Sequence, residues 1–186
     1  MTRAAEAPPL DLASTALRGL VLYGLMEFQS GHASALWVSM QGTEFGIADD
    51  GRGHPLDKRL AGTNYIDYIY THFDYPFEAP AGQAGPVQLQ GIGMSLVNAM
   101  CSRLVLTLRK PEQTLTRVYE NGQLASSETS DVPNERTGIS VQCRLRPELP
   151  ASGAGLPALE EWLRGLVRCH PTLKLFFNGR ALTAEP

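Results

Sequence analysis

The sequence of 186 residues lacks an excess of positive charge, a dense set of cysteines and any long apolar run. Its formal net charge is -3, so no basic stripe supports direct binding of nucleic acid. The three cysteines, Cys101, Cys143 and Cys169, have neither metal-ligand spacing nor the density of a disulfide framework. No segment stays apolar for the roughly 20 residues that a membrane helix needs. The absence of a secretory signal completes a pattern that predicts a cytoplasmic protein without a membrane partner.

The four histidines are too scattered to predict a metal site, and structural or surface roles are expected for His32, His54, His72 and His170. A hydrophobic fraction of 43% over 186 residues is typical of one domain with a sizeable core. We predict a flexible N-terminal tail over residues 1–11 and a single domain over residues 12–186. A stretch rich in proline and glycine, residues 74–90, is predicted to be a lid-like loop within this domain.

Hydrophobic periodicity predicts alternating helices and strands along the domain. Apolar residues at helical spacing predict a first helix from Asp11 to about Ser30, with Asp11 or Ser14 as its N-cap. A polar connection is expected over residues 122–135 because the apolar alternation stops there. The other predicted helices cover 60–73 and 156–169, and the predicted strands cover 35–41, 44–48, 104–109, 115–121, 137–146 and 173–178.

A strand that ends in two carboxylates is the most informative local pattern. In Asp49-Asp50-Gly51-Arg52-Gly53 an apolar run stops, and two glycines then bracket an arginine. One interpretation is a surface turn with solvated carboxylates. The other is a recognition turn, in which glycines let the backbone approach a flat ligand and a sheltered carboxylate accepts from an amino group such as that of adenine.

A second pattern is the glycine-rich entry into a helix at Gly91-Ile92-Gly93-Met94-Ser95. A helix N-terminus presents free backbone N–H groups and the positive end of the helix dipole, which suits a phosphate. Tight packing of the helix explains the two glycines equally well.

Taken together, three segments resemble a known family: residues 49–55, residues 91–99, and residues 117–122 leading to Thr137-Gly138. Their order and spacing resemble the N-terminal ATPase domain of DNA gyrase B and topoisomerase IV B, of the GHKL (Bergerat-fold) superfamily. The resemblance runs from about residue 12 to residue 180. It implies an α+β, two-layer sandwich, in which a mixed, mostly antiparallel sheet carries helices on one face.

The resemblance also implies a pocket for ATP or ADP. On this mapping Asp49 accepts from the adenine amino group, both directly and through a water molecule, and Thr137 supports the same water. Arg52 stacks beside the purine and pairs with Glu27. Lys110 lies near the position where the family has a basic residue beside the adenine edge, although this match is loose. The remaining implied nucleotide-binding residues are Gly53 and Pro55 at the adenine slot and Gly91, Ile92 and Gly93 at the phosphates.

The first helix departs from the family, which carries a glutamate as general base and, one turn later, an asparagine as Mg²⁺ ligand. The matching positions here are Gly19 and Tyr23, and no asparagine precedes Asn64. A phenol, with an ordinary pKa of about 10, is a poor Mg²⁺ ligand at neutral pH. We therefore predict no catalytic residue, and a Mg²⁺ site is doubtful.

Two classes of function stay open at this point. The first is a degenerate, pseudo-ATPase domain that binds adenine nucleotide weakly, or that serves as a regulatory module docking on a gyrase-like or other GHKL protein. The alternative is an active ATPase whose catalytic residues have moved, with Asp50, Glu27 and Asn98 as the available candidates. The sequence does not indicate an oligomeric state.

Overall fold

The computed structural model describes residues 11–73, 93–151 and 155–184. This part of the chain contains four helices, α1 (Leu12–Gln29), α2 (Tyr65–Thr71), α3 (Met94–Met100) and α4 (Leu156–Cys169). It also contains ten strands: β1 (Ala35–Gln41), β2 (Glu44–Asp49), β3 (Arg59–Leu60), β4 (Thr63–Asn64), β5 (Cys101–Arg109), β6 (Thr114–Glu120), β7 (Gln123–Ser130), β8 (Gly138–Leu145), β9 (Lys174–Phe177) and β10 (Arg180–Ala181). None of these helices is long and apolar enough to cross a membrane. The predicted loop 74–90 lies outside the described residues.

Eight of the strands form one sheet in the order β10-β9-β1-β2-β8-β5-β6-β7, and β3 and β4 form a separate hairpin. Only the pair of β1 and β9 is parallel among the described pairings. The neighbours β1 and β2, β2 and β8, and β5 and β8 all run antiparallel. The predicted α+β class with a mixed, mostly antiparallel sheet is confirmed.

One face of the sheet carries the helices and the core. Along β1, Leu36, Val38 and Met40 are buried, whereas Trp37 on the opposite face is 40% exposed and stacks on Phe176. This alternation follows from the pleat of a strand, which points successive side chains to opposite faces. Burial of each large apolar side chain on the helix face stabilises the fold by about 1.5–3 kcal/mol. The predicted arrangement, with helices on one face, is therefore the observed one.

Helix α1 begins at a capping aspartate. The Oδ1 atom of Asp11 accepts from the backbone N–H of Ser14 at 3.3 Å, and Oδ2 accepts from the Ser14 hydroxyl at 3.1 Å. The same Oδ2 accepts from the N–H of Gly155 at 3.2 Å, which ties the start of α1 to the start of α4. Of the two predicted candidates, Asp11 and Ser14, Asp11 is therefore the N-cap of α1.

Two segments differ from their predictions. The helix predicted from Leu60 begins only at Tyr65, because Ala61 and Gly62 adopt positive φ angles of 48° and 82° in the turn of the β3–β4 hairpin. The connection predicted over 122–135 contains the strand β7, and every residue of β7 is exposed. A strand at the sheet edge with both faces in solvent has no apolar alternation, so this pattern could not reveal it.

Two of the three cysteines contribute to the core. Cys101 and Cys143 are buried free thiols on the adjacent strands β5 and β8. Cys169, at the end of α4, is exposed and also free.

Candidate functional site

A cavity of about 480 Å³ opens between α1, the sheet and the turn that follows β2. Helix α1 contributes polar and apolar lining residues, and β2 contributes Asp49 at its carboxyl end. Most of the residues predicted to contact adenine line this cavity. The lining residues include Tyr23, Glu27, Asp49, Arg52, Gly53, His54, Pro55, Lys58, Tyr65, Tyr70 and Lys110.

Asp49 lies buried, with one side-chain oxygen fixed by the protein. Its Oδ1 accepts from the N–H of Gly51 at 2.9 Å and from the N–H of Ile139 at 3.3 Å. Burial raises the pKa of Asp49 to about 6, although these two hydrogen bonds lower it. Within the described ranges no donor reaches Oδ2. The arrangement holds the carboxyl group in place and leaves one oxygen for an amino group.

The neighbouring carboxylate, Asp50, points away and fixes the chain instead. It accepts from the N–H of Ser34 at 2.7 Å, the hydroxyl of Ser34 at 2.5 Å and the N–H of Ala35 at 2.9 Å. Partial burial raises its pKa, but the hydrogen bonds from Ser34 and Ala35 outweigh that effect and lower it overall. Asp50 therefore stays ionised and ties the turn to the start of β1.

Two glycines let the turn pack where a side chain would not fit. Gly53 has φ +65°, and a Cβ there would collide with Leu108. Gly138 has φ +138°, and a Cβ there would collide with the backbone carbonyl of Asp49. Positive φ angles and close backbone contact both favour glycine. These positions bring β8 against the end of β2, so that Ile139 can donate to Asp49.

Glu27 and Arg52 form the ion pair expected from the family mapping. The Arg52 guanidinium donates to Oε1 of Glu27 at 3.3 and 3.4 Å, and the Arg52 N–H donates to Oε2 at 3.4 Å. Because the Arg52 side chain is 60% exposed, the pair itself contributes little to stability. Its effect is to hold the guanidinium at the cavity rim.

Lys110 stabilises the same turn from the sheet. Its Nζ donates to the carbonyl of Arg52 at 2.6 Å and reaches the carbonyl of Gly53 at 3.5 Å. Partial burial lowers the pKa of Lys110, which is opposed by the negative charge of Glu27. Lys110 thus lines the cavity, but its hydrogen bonds go to the backbone.

His54 is the main site residue that the sequence did not single out. Its ring packs edge-on against Tyr65 and Tyr70, with centroids 6.0 and 5.9 Å away. Burial lowers the pKa of His54 to about 4, with a smaller contribution from Lys110, so the imidazole is neutral at pH 7. Its buried Nε2 has no hydrogen-bond partner among the described residues. The helical spacing of Tyr65 and Tyr70 predicts core positions, and only the fold shows that these rings also face a cavity.

Two residues of α1 stand at the positions that the resemblance matches to the family's base and Mg²⁺ ligand. Gly19 is buried, and Tyr23, one turn later, lines the cavity on the same side as Glu27. No group of three or more His, Cys, Asp or Glu side chains suited to a metal occurs in the part of the chain that the structure describes. The absence of a Mg²⁺ site stays a prediction, which rests on the residue types Gly19 and Tyr23.

Two predicted positions, one on the phosphate side and one on the water side, are not among the residues that line the cavity. Gly93 is the N-cap of α3 and directly precedes the lining residue Met94, and Thr137 directly precedes β8. Gly91 and Ile92 lie outside the described residues, so their predicted contact with phosphate stays a prediction.

Asn98, a candidate for a relocated metal ligand, has a structural role. It is 1% exposed on α3, and its Nδ2 donates to the carbonyls of Tyr70 at 2.9 Å and Gly122 at 3.1 Å. It therefore joins α3 to α2 and to the β6–β7 turn, away from the cavity.

The chain is similar in sequence to DNA gyrase B and DNA topoisomerase IV B proteins. The DNA gyrase B protein of Mycobacterium tuberculosis strain H37Rv is 29% identical over 149 residues, which is 74% of this chain and 22% of that protein. The DNA topoisomerase IV B protein of Mycoplasma pneumoniae is 27% identical over 162 residues, 77% of this chain and 25% of that protein. The chain thus spans at most about a quarter of the length of these relatives. No family model matches the chain.

The fold is also found among solved structures. A topoisomerase IV ATP-binding domain of Francisella tularensis, in complex with a small-molecule inhibitor, superposes with a TM-score of 0.70. The match covers 88% of this chain and 79% of that chain at 21% sequence identity. The resemblance to the gyrase B and topoisomerase IV B ATP-binding domain, and the GHKL fold that it implies, are confirmed.

Proposed function

We propose that this chain is a pseudo-ATPase, a GHKL domain that binds an adenine nucleotide weakly in the cavity without efficient hydrolysis. In this role it acts as a nucleotide sensor. Asp49, Arg52, Gly53, Pro55 and Glu27 form the adenine side of the site.

The observation that carries the proposal is the geometry of Asp49. Backbone N–H groups of Gly51 and Ile139 hold Oδ1, while Oδ2 accepts from no described residue and the carboxyl group lines the cavity. A hydrogen bond from an amino group to an ionised carboxylate contributes about 1.5–3 kcal/mol. The adenine amino group is a donor of this kind, and Arg52 at the rim supplies a planar cation beside it.

The absence of efficient hydrolysis follows from the contacts of the acidic and amide side chains nearby. Glu27 is paired with Arg52, and Asp50 accepts three hydrogen bonds from Ser34 and Ala35. Asn98, on α3, donates its side-chain amide to the carbonyls of Tyr70 and Gly122. Phosphoryl transfer needs a positioned water and stabilisation of charge at the phosphates. The positions of the family's base and Mg²⁺ ligand hold Gly19 and Tyr23. Neither residue can position the water or stabilise charge at the phosphates.

A second candidate function is a protein-interaction module that binds no nucleotide and docks on a gyrase-like or other GHKL protein. The side chain of Tyr23 favours it, because the ring lines the cavity on the side where metal and phosphate would lie. In this second function the cavity is present because of the fold and binds no nucleotide.

Isothermal titration with ADP and ATP, with and without Mg²⁺, separates the two functions. The sensor predicts binding in the micromolar range that does not change when Mg²⁺ is removed. Asp49→Ala is expected to weaken it by about 10- to 100-fold, the equivalent of one charged hydrogen bond. Glu44→Gln, on an exposed ion pair with Arg144 at the far end of β2, is the matched control and leaves binding unchanged. No heat with millimolar nucleotide contradicts the sensor and favours the interaction module.

A steady-state assay of phosphate release tests the pseudo-ATPase directly. We expect no turnover above the background of protein-free buffer. Turnover that Asp49→Asn abolishes and Glu44→Gln preserves would establish the active ATPase in place of our proposal.

A further inference from the structure

We infer that Asn134 is a positioning residue for the ligand cavity and that it acts on the cavity rim through Lys110. Asn134 lies in the connection between β7 and β8 and is not among the residues that line the cavity. Lys110 does line the cavity and supports the turn that follows β2. Because this turn carries the proposed adenine side, the role of Asn134 rests on the proposed function and adds a residue that supports it.

The side chain of Asn134 binds the loop between β5 and β6. Its Nδ2 donates to the backbone carbonyls of Lys110 at 2.8 Å and Gln113 at 3.1 Å. Its Oδ1 accepts from the hydroxyl of Thr114 at 3.2 Å. The backbone N–H of Asn134 donates to the carbonyl of Pro111 at 2.9 Å. An amide side chain has two N–H donors, so both have carbonyl partners on this one loop.

Lys110 transmits this constraint from the loop to the rim. One of the carbonyls that Asn134 holds belongs to Lys110 itself, and the Lys110 N–H donates to the carbonyl of Gln113 at 2.8 Å. Both backbone polar groups of Lys110 are therefore fixed. From this backbone its Nζ reaches the carbonyl of Arg52 at 2.6 Å. Since a lysine side chain is long and flexible, its direction depends on a backbone that is held in place.

The other route from Asn134 to the site runs along the chain into β8, and that route has its own support. Asn134 lies four residues before Gly138, the first residue of β8. Gly138 and Ile139 are already held by pairing with Arg109 and Leu108 of β5. The contact of β8 with the turn therefore does not need the Asn134 side chain, and Lys110 is the element that does.

The test is a double-mutant cycle of Asn134→Ala and Lys110→Met in the full chain, read as the affinity for ADP by isothermal titration. We expect Asn134→Ala alone to weaken binding by roughly three- to tenfold, a coupling typical of residues in one hydrogen-bond network. In the Lys110→Met background the same change should weaken it by less than about twofold. Equal losses in both backgrounds overturn the inference and leave the proposed function standing. No binding of ADP to the native protein overturns both.

Asn178→Ala is the matched control, because Asn178 also bridges two backbone segments with its side-chain amide. Its Oδ1 accepts from the N–H of Met40 at 2.9 Å, and its Nδ2 donates to the Met40 carbonyl at 3.3 Å. Neither residue lines the cavity. We expect this variant to lower the melting temperature and to leave the affinity for ADP unchanged. A loss of affinity as large as that of Asn134→Ala would show that general destabilisation is sufficient, against the inference.

A measurement without nucleotide tests the link between the two residues directly. Partial burial lowers the pKa of Lys110, so release of its side chain into solvent should raise that pKa toward its ordinary value. The ¹³C signal of the Lys110 ε-carbon, followed through a pH titration, should show this rise in Asn134→Ala and not in Asn178→Ala. A Lys110 pKa that is the same in the native protein and in Asn134→Ala overturns the inference, whether or not ADP binds.

Discussion

At the residue scale, Asp49 combines burial with a fixed orientation, and its titration gives a stability test. Burial raises its pKa to about 6 from an ordinary 3.8. The folded state therefore holds this proton more tightly than the unfolded chain does. The stabilisation is complete below pH 3.8 and is lost as the pH rises through 6, by up to about 3 kcal/mol for two pKa units.

Asp49→Asn should remove this pH dependence. Between pH 5 and pH 8, the free energy of unfolding of the variant, measured in urea, should rise relative to that of the native protein. Comparison at each pH cancels the opposite contribution of Asp50, whose pKa is lowered. A difference between the two proteins that is constant from pH 5 to pH 8 would show that Asp49 is not held in a desolvated position.

Gly138 provides a second test at this scale. Its φ of +138° and the contact that a Cβ would make with the Asp49 carbonyl predict that Gly138→Ala destabilises the protein by about 2–4 kcal/mol. The matched control is Gly42→Ala, since Gly42 has φ +60° with nothing within 4 Å of its built Cβ. The control should lose only about 1 kcal/mol of backbone strain. Equal losses in urea denaturation would argue against close packing of β8 on Asp49.

At the scale of elements, the cap of α1 ties two helices together. Asp11 accepts from Ser14 at the start of α1 and from Gly155 at the start of α4. Asp11→Ala leaves these buried donors without a partner, so we expect a loss of about 1–3 kcal/mol and a lower melting temperature. Asp11→Asn keeps an acceptor oxygen and should lose less than half as much. Identical melting temperatures for the native protein and Asp11→Ala would show that the link contributes nothing.

The elements also show which parts of the fold the sequence could predict. Strong periodicity placed α1 and β1 within a residue or so of their observed bounds. The edge strand β7 has both faces in solvent, so its sequence carries no alternation to detect. The short β3–β4 hairpin was predicted as the first turns of α2 because its apolar Leu60 fits helical spacing. Local sequence patterns do not predict an element whose structure is decided only by its pairing with other strands.

The same limit applies to the site. Asp49, Glu27, Arg52 and Pro55 were predicted as site residues because the resemblance to a known family implies them, and all four line one cavity. His54 was not predicted as a site residue, because a single histidine after a turn belongs to no recognisable motif. Only the fold shows that Tyr65 and Tyr70 lie beside it. Thr137 was predicted to join the site and does not line the cavity.

At the scale of the whole molecule, the fold forms a cavity beside α1, and the proposed function gives this cavity two halves. The sheet and the turn after β2 fix the proposed adenine half through Asp49, Lys110 and the glycines. On the other half, α1 carries Gly19 and Tyr23 at the positions that the resemblance matches to the family's base and metal ligand. We propose that a domain of this design binds its ligand without consuming it, which suits a regulatory role.

The most direct test is one isothermal titration of ATP into the protein, run in Mg²⁺ and again in EDTA. We predict the same micromolar dissociation constant within about threefold, and a baseline that returns to zero after each injection because no ATP is turned over. Binding that needs Mg²⁺, followed by steady heat of hydrolysis that Asp49→Asn abolishes, would contradict the pseudo-ATPase.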